Sequence, residues 1–113
     1  MKTRYLFGMP FAEFNVMSQK VEVLVDTGFN GSLLLPKRVI EDLRLKRSRT
    51  LECIMADGNV RETEVYLAEI NWLGRNVKVD ILSGPSDIAL IGMGLLSHSR
   101  TLLEPSKNIL SIS

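Results

Sequence analysis

The chain has 113 residues, of which 45% are hydrophobic and 24% are charged, and its net charge at pH 7 is +1. This size and apolar content suit a single domain over residues 1–113 with a modest core. A net charge so close to zero creates no long-range field that would attract nucleic acid or an anionic membrane, so neither is expected as a partner.

The sequence also carries no obvious targeting signal. Its basic start lacks an apolar stretch of signal-peptide length, and no uncharged apolar run is long enough to span a bilayer. The only cysteine is Cys53, which excludes an internal disulfide and agrees with a reducing compartment. We therefore expect a cytoplasmic protein.

The first half of the chain predicts short strands and one helix. Segments 11–16 and 21–25 are strand candidates joined by a turn at 17–20, and 33–35 is a short buried strand. Pro36 suits the first position of a helix because it has no N–H to leave unpaired, so a helix is predicted over 36–43. The apolar residues of that segment share one face, as packing against a sheet requires.

The second half predicts two hairpins followed by two short strands. Segments 51–56 and 60–70 flank Asp57-Gly58-Asn59, where Asp-Gly supplies the positive φ of a tight turn. Segments 72–73 and 77–82 flank the similar turn signal Gly74-Arg75-Asn76. Further strands are predicted at 88–91 and 108–113. The pattern as a whole indicates a mainly β domain.

The most informative motif is Asp26-Thr27-Gly28, which directly follows an apolar strand. Hydrolysis by paired carboxylates needs an acid and a base close enough to share a proton, because two like charges at that distance do not both stay ionised. The sequence contains no second Asp-Thr-Gly or Asp-Ser-Gly. If Asp26 is catalytic, its partner must therefore be the Asp26 of an identical chain.

Two features that follow this motif in the sequence are expected to belong to the same site. The hairpin at Asp57-Gly58 is a natural flap over a substrate, and the apolar strand 89–91, which ends at Gly92, is expected to pack behind the Asp26 loop. Gly28 would let backbone N–H groups approach the carboxylate. The simpler interpretation of Asp26-Thr27-Gly28 is an ordinary turn after a strand, since Asp and Gly favour turns.

Together these residues resemble the retropepsin-like aspartic proteases, the small single-lobe peptidases that include the retroviral enzymes. The resemblance covers nearly the whole chain: Asp26-Thr27-Gly28, the Asp57-Gly58 tip, and segment 89–92 followed by Gly94-Leu95-Leu96. It implies an all-β fold, a retropepsin-like closed barrel with one short helix. It also implies a homodimeric endopeptidase with one aspartate per chain and neither metal nor cofactor.

The resemblance further assigns roles to individual residues. Asp26, Thr27 and Gly28 would form the catalytic set, with the Thr27 hydroxyl bracing the two loops across the dimer axis. Phe29, Ala56, Asp57 and Gly58 would contact a peptide or protein substrate, and the terminal segments 2–7 and 109–112 would contribute to the dimer. Retroviral enzymes usually have alanine at the position of Phe29, so this bulky side chain is expected to narrow the cleft.

Other functions have weaker support in the residues. A non-catalytic peptide-binding or dimerisation module on the same fold would keep the same motifs. Residues 37–49 contain six basic and two acidic side chains, which could bind a small anion, although a solvated helix face explains them better. Asp80 and Asp87 lack a neighbouring Thr-Gly, so neither belongs to the predicted catalytic set. His98 has no neighbours at metal-ligand spacing, and no metal is predicted.

Overall fold

The computed structural model describes residues 1–54 and 57–113, with the backbone alone at 53 and 54. Within these residues the regular elements are β1 (Lys2–Leu6), β2 (Met9–Val16), β3 (Gln19–Val25), β4 (Leu33–Pro36), α1 (Lys37–Leu43), β5 (Lys46–Ile54), β6 (Val60–Trp72), β7 (Arg75–Gly84), β8 (Ala89–Ile91), α2 (Met93–Leu96), β9 (Thr101–Glu104) and β10 (Ile109–Ile112). A 3₁₀ turn over Pro105–Lys107 links the last two strands. The predicted all-β class is confirmed.

Eight of the strands form one sheet in the order β1-β2-β3-β8-β4-β7-β6-β5, while β9 and β10 pair with each other. Most neighbours are antiparallel, but β3 pairs with β8, and β4 with β7, in parallel. Strand β8 therefore inserts between β3 and β4, which are close in sequence. This insertion brings the Asp26 loop, which connects β3 to β4, against the chain that follows β8.

Among the described residues, the strand pairings form a linear series with β1 and β5 at its two ends, and they include no ring closure. Side-chain packing brings the two halves of the sheet together. Strand β2 contacts β6, and the ring of Phe14 meets the ring of Trp72 edge-on at a centroid distance of 5.8 Å. Such edge-to-face pairs stabilise a core beyond the apolar area that they bury.

The core lies on one face of this sheet, because strand side chains alternate between the two faces. On β3 the buried residues are Val21, Val23 and Val25, and on β4 they are Leu33 and Leu35. Strands β7 and β8 continue the pattern with buried Val79, Ile81, Ala89 and Ile91. The intervening residues of these strands consequently point to the opposite face.

Several boundaries differ from the predicted ones. The helix begins at Lys37, because Pro36 has φ −58° and ψ 147°, an extended conformation that continues β4. A second helix, α2, follows Gly92 and was not predicted, since its four residues are too few for a helical period. Strands β1 and β9 were also missed as strands. Their mixed polar and apolar residues lack the apolar runs seen in β3 and β8.

The two predicted hairpins are present, with one shift. Gly58 has φ +84° at the tip between β5 and β6, as the Asp-Gly signal requires. In the other hairpin the turn is formed by Leu73 and Gly74, with φ +51° and +86°, and Arg75 already belongs to β7. Two positive φ angles in succession match the twist of the flanking strands. The turn between β2 and β3 is likewise shorter than predicted.

Candidate active site

Asp26 lies directly after β3, where the strand leaves the sheet. Its backbone N–H donates to the carbonyl oxygen of Ile91 at 2.9 Å, which extends the parallel pairing of β3 with β8 by one bond. Because Val23 and Val25 face the core, alternation turns the Asp26 side chain to the other face of the sheet. The carboxyl group is therefore half-buried and accessible.

The carboxylate is oriented by its own loop. The backbone N–H of Gly28 donates to Asp26 Oδ1 at 2.9 Å, and the N–H of Phe29 donates to the Asp26 carbonyl oxygen at 3.2 Å. A Cβ at position 28 would lie 3.3 Å from the same Oδ1, which is tight. Gly28 therefore brings a backbone N–H close to the carboxylate.

The segment after β8 holds the loop in place through three backbone hydrogen bonds. Met93 N–H donates to the Phe29 carbonyl at 2.7 Å, Gly94 N–H to Gly31 at 3.0 Å, and Gly92 N–H to Ser32 at 3.0 Å. The prediction that segment 89–92 packs behind the Asp26 loop is confirmed. The loop is thus positioned by main-chain contacts that need close approach of two backbones.

Glycines make this close approach possible. A Cβ at Gly92 would overlap the carbonyl oxygens of Phe29 and Gly31, and one at Gly94 would lie 2.7 Å from Ser32 Oγ. The Phe29 ring packs over Gly31, where an added Cβ would lie 2.7 Å from Cε1. Phe29 therefore folds back onto its own loop while still lining the cleft.

A cleft of about 630 Å³ opens in front of Asp26. Its floor is a row of side chains in register across four strands: Val65 on β6 faces Leu82 on β7, Leu82 faces Leu34 on β4, and Leu34 faces Leu90 on β8. Val65 is fully buried, and the three leucines are half-buried. We call these four residues the cleft floor.

The β5–β6 hairpin forms one wall of the cleft. Arg49 and Leu51 on β5, and Arg61, Thr63 and Val65 on β6, all line it. The Thr63 hydroxyl donates to the Ser83 carbonyl oxygen at 3.0 Å, just beyond the last β6–β7 backbone pair. On the hairpin-tip side of this bond, β6 pairs with β5 and, among the described residues, with no other strand.

Charged groups in the cleft include a salt bridge. Arg49 donates from Nη2 to Asp80 Oδ2 at 2.7 Å and from Nη1 to Oδ1 at 3.4 Å. Asp80, which lies outside the predicted catalytic set, is thereby paired. The predicted basic stretch 37–49 is spread over α1 and β5, and three of its arginines form exposed ion pairs with Asp87, Glu64 and Asp80.

The predicted site residues are only partly brought together. Asp26, Gly28 and Phe29 line the cleft, whereas Thr27 is exposed beside it. Asp57 and Gly58 lie exposed at the hairpin tip, and Ala56 lies outside the described residues. The pKa of Asp57 is lowered, chiefly because its carboxylate accepts the N–H of Asn59.

Most of the cleft lining was not predicted. The missed residues are Asn30, Gly31, Ser32, Leu34, Arg49, Leu51, Arg61, Thr63, Val65, Asp80, Leu82, Ser83, Pro85 and Leu90. Alternation along each strand could have grouped them by face, because 61, 63 and 65 share one side of β6. The register between strands, which joins these groups into one surface, is not readable from a single segment.

Two properties of the described residues bear on the class of site. No three His, Cys, Asp or Glu side chains in residues 1–54 and 57–113 lie close enough together to hold a metal ion. In the same part of the chain, no helix has the length and apolar character needed to cross a membrane.

Comparisons with known proteins agree on one family. The family model described as "gag-polyprotein putative aspartyl protease" matches residues 12–98. No curated protein matches the chain. Among solved structures, a retropepsin-like aspartic protease from Rickettsia conorii is 26% identical with a TM-score of 0.61, and the match covers 95% of this chain and 92% of that one.

A viral structure has a similar fold. The foamy viral protease-reverse transcriptase, solved in complex with an RNA/DNA hybrid, has a TM-score of 0.63 at 17% identity. The match covers 83% of this chain but only 12% of the viral chain. At this level of identity the likeness concerns the fold alone.

Proposed function

Because the chain belongs to the gag-polyprotein aspartyl protease family, we propose that it is an aspartic endopeptidase that acts as a homodimer on peptide or protein substrates. The observation that carries the proposal is the position of Asp26: an accessible carboxylate, oriented by Gly28, at the base of a cleft with an apolar floor. An extended peptide laid along that floor would present its main chain to this carboxylate.

The need for a second copy rests on the carboxylates in the cleft. Asp80 also lines it, but Arg49 engages both of its oxygens. Among the described lining residues, this leaves Asp26 as the acid without a cationic partner. A second Asp26, brought up across a twofold axis, would complete the dyad, and the exposed Thr27 would then lie at the contact between the two loops.

The proposed reaction needs only these two carboxyl groups and one water. The ionised carboxylate takes a proton from the water while the water oxygen attacks the peptide carbonyl carbon. The protonated carboxyl of the other chain donates its proton to the carbonyl oxygen. The resulting gem-diol collapses with cleavage of the C–N bond, and the leaving nitrogen takes up a proton. Because the groups interact, the pH–rate profile belongs to the pair and to neither aspartate alone.

The substrate would bind as an added strand between the cleft floor and the β5–β6 hairpin. Main-chain hydrogen bonds give general affinity in this mode, and alternate side chains enter pockets that give selectivity. The half-buried leucines of the cleft floor offer an apolar surface for one such side chain. Ala56, Asp57 and Gly58, near the hairpin tip, belong to this proposal as substrate contacts.

The decisive experiment compares wild type with Asp26→Asn on a peptide library at several pH values, with and without pepstatin. Cleavage by wild type that pepstatin inhibits and the variant lacks supports the enzyme. The matched control is Asp42→Asn on α1, an exposed carboxylate outside the cleft lining, which should leave cleavage unchanged. Absence of cleavage under all conditions would instead favour a peptide-binding module.

The homodimer has a separate test. Adding excess Asp26→Asn protein to a fixed amount of wild type should suppress cleavage, because mixed dimers contain one carboxylate and one amide. If each chain were active alone, the added variant would leave the rate unchanged. Sedimentation of the same mixtures shows whether dimers form at all.

A further inference from the structure

The β5–β6 hairpin presents different charged side chains on its two faces, and on the outer face Glu64 is paired with Arg47. On the cleft side lie Arg49 and Arg61, whereas Glu62 and Glu64 alternate with the lining residues of β6 and so point away from the cleft. Glu52 on β5 is the register partner of Glu62 and extends the acidic outer face. Arg49 and Arg61 are therefore the charged side chains that the hairpin itself presents to a bound peptide.

The two arginines on this wall are not equivalent. Arg49 is engaged by Asp80, so its charge is already matched. Arg61 forms no salt bridge or side-chain hydrogen bond with any group in residues 1–54 and 57–113, and its side chain is exposed. Asp57 at the hairpin tip also feels the charge of Arg61, which helps to lower its pKa, while its carboxylate accepts hydrogen bonds from the N–H and the side-chain amide of Asn59.

The position of Arg61 relative to the cleft floor suggests what it would contact. It lies two residues beyond Thr63 on the same strand face, further from the cleft floor and closer to the hairpin tip. A side chain seated on the floor would be apolar, whereas one further along the same substrate strand would meet the guanidinium. A guanidinium presents several N–H donors in a plane and pairs with a carboxylate through two of them.

We infer that Arg61 forms an acid-selective subsite, so that the enzyme prefers substrates with Asp or Glu flanking an apolar cleavage site. The inference rests on the proposed function, because the twofold dimer would repeat Arg61 on each side of the scissile bond. A carboxylate is then favoured on both flanks, and a lysine or arginine at the same places is disfavoured by like-charge repulsion.

The test uses three peptide libraries that differ only at the positions flanking a central apolar pair: glutamate, glutamine or lysine. Wild type should cleave the glutamate library about fivefold faster than the glutamine library, with lysine slowest, and the preference should shrink as salt is raised. Arg61→Glu should reverse the order toward lysine, and Arg61→Gln should remove the preference. The matched control is Arg75→Glu, an exposed arginine outside the cleft lining, which should keep the wild-type order.

A binding measurement separates this inference from the proposed function. Fluorescence anisotropy of the labelled libraries with Asp26→Asn protein reports selection without cleavage, and unfolding of each variant in urea confirms that it is folded. Equal binding of the glutamate and glutamine libraries, or a glutamate preference that persists in Arg61→Glu, would overturn the subsite. If no library is cleaved by wild type, the proposed function fails, and the binding order still decides on Arg61.

Discussion

Gly92 lies so close to Phe29 that position 92 has no room for a side chain. An added Cβ would overlap the Phe29 carbonyl oxygen and lie 2.5 Å from Cδ2 of its ring. The same backbone segment donates the hydrogen bonds that hold the Asp26 loop. Both the packing of the fold and the position of the candidate catalytic carboxylate therefore depend on the close approach of these two chain segments.

Gly92→Ala should consequently lower both stability and cleavage. Two of the three atoms in the way are backbone carbonyl oxygens, so the backbone itself must shift, at a cost of about 2 kcal/mol or more. Urea unfolding measures the loss. Gly8→Ala is the reference substitution. Position 8 has open space around it, so only its positive φ should lower the free energy of unfolding when a side chain is added. A smaller loss for Gly92→Ala than for Gly8→Ala would contradict the argument.

Gly31 differs from Gly92 in a way that a double mutant reveals. All three atoms that an added Cβ would meet at position 31 belong to the Phe29 ring. Gly31→Ala and Phe29→Ala should each lower the free energy of unfolding by about 1–3 kcal/mol. The loss in the double mutant should be smaller than the sum of the two single losses by about 1 kcal/mol, because alanine at position 29 leaves room for the added Cβ at position 31.

The control for this pair is Phe29→Ala combined with Gly92→Ala. The carbonyl oxygens of Phe29 and Gly31, which an added Cβ at position 92 would overlap, remain in that variant, so the coupling should be weaker than with Gly31→Ala. Strong coupling with Gly92, or additive losses with Gly31, would show that the ring does not occupy the predicted space.

Thr63→Val should loosen the β5–β6 hairpin. The Thr63 hydroxyl donates a hydrogen bond to the Ser83 carbonyl oxygen, next to Val65 and Leu82, where the backbone pairing of β6 with β7 ends. Its loss should cost about 1 kcal/mol and speed amide hydrogen exchange in segment 57–64 more than in β2 or β3.

Thr50→Val serves as the control for the hairpin. Thr50 lies exposed on β5, and within the described residues its hydroxyl has no hydrogen-bond partner, so the same change should leave exchange in segment 57–64 unaltered. Equal acceleration in both variants would point to a general effect of valine rather than to the Thr63 bond.

Arg4→Gln should reduce stability at neutral pH and lose its effect in acid. Arg4 donates two hydrogen bonds to Glu22, at 2.8 and 2.7 Å, which join β1 to β3 across β2. These bonds lower the pKa of Glu22 below its usual 4.5. A lowered folded-state pKa stabilises the fold above the unfolded value, and this contribution disappears as pH falls through the folded one.

The measurement is the urea midpoint of wild type and Arg4→Gln at pH 7 and at about pH 3 and below. The difference between them should narrow as Glu22 becomes protonated. Arg100→Gln, which removes an exposed arginine outside any salt bridge of the described residues, should show no such trend. A difference that is constant over the whole range would mean that Arg4 acts by packing alone.

Much of this protein could be predicted from its sequence because the signals are local. Alternation of Val21, Val23 and Val25 assigns a strand and a buried face, and Gly58 and Gly74 supply the positive φ that their turns need. The hydrogen bond from the Gly28 N–H to the Asp26 carboxylate is likewise local, because the two residues are only two positions apart. Each of these features depends on neighbours in the chain.

The cleft was decided by tertiary structure. The floor row from Val65 to Leu90 exists because β8 inserts between β3 and β4, and this register involves segments far apart in sequence. The same is true of the Arg49–Asp80 salt bridge, which leaves Arg61 as the basic group that faces the cleft without an ionic partner among the described residues. Local propensity determines which residues form strands, but long-range pairing determines which side chains share a surface.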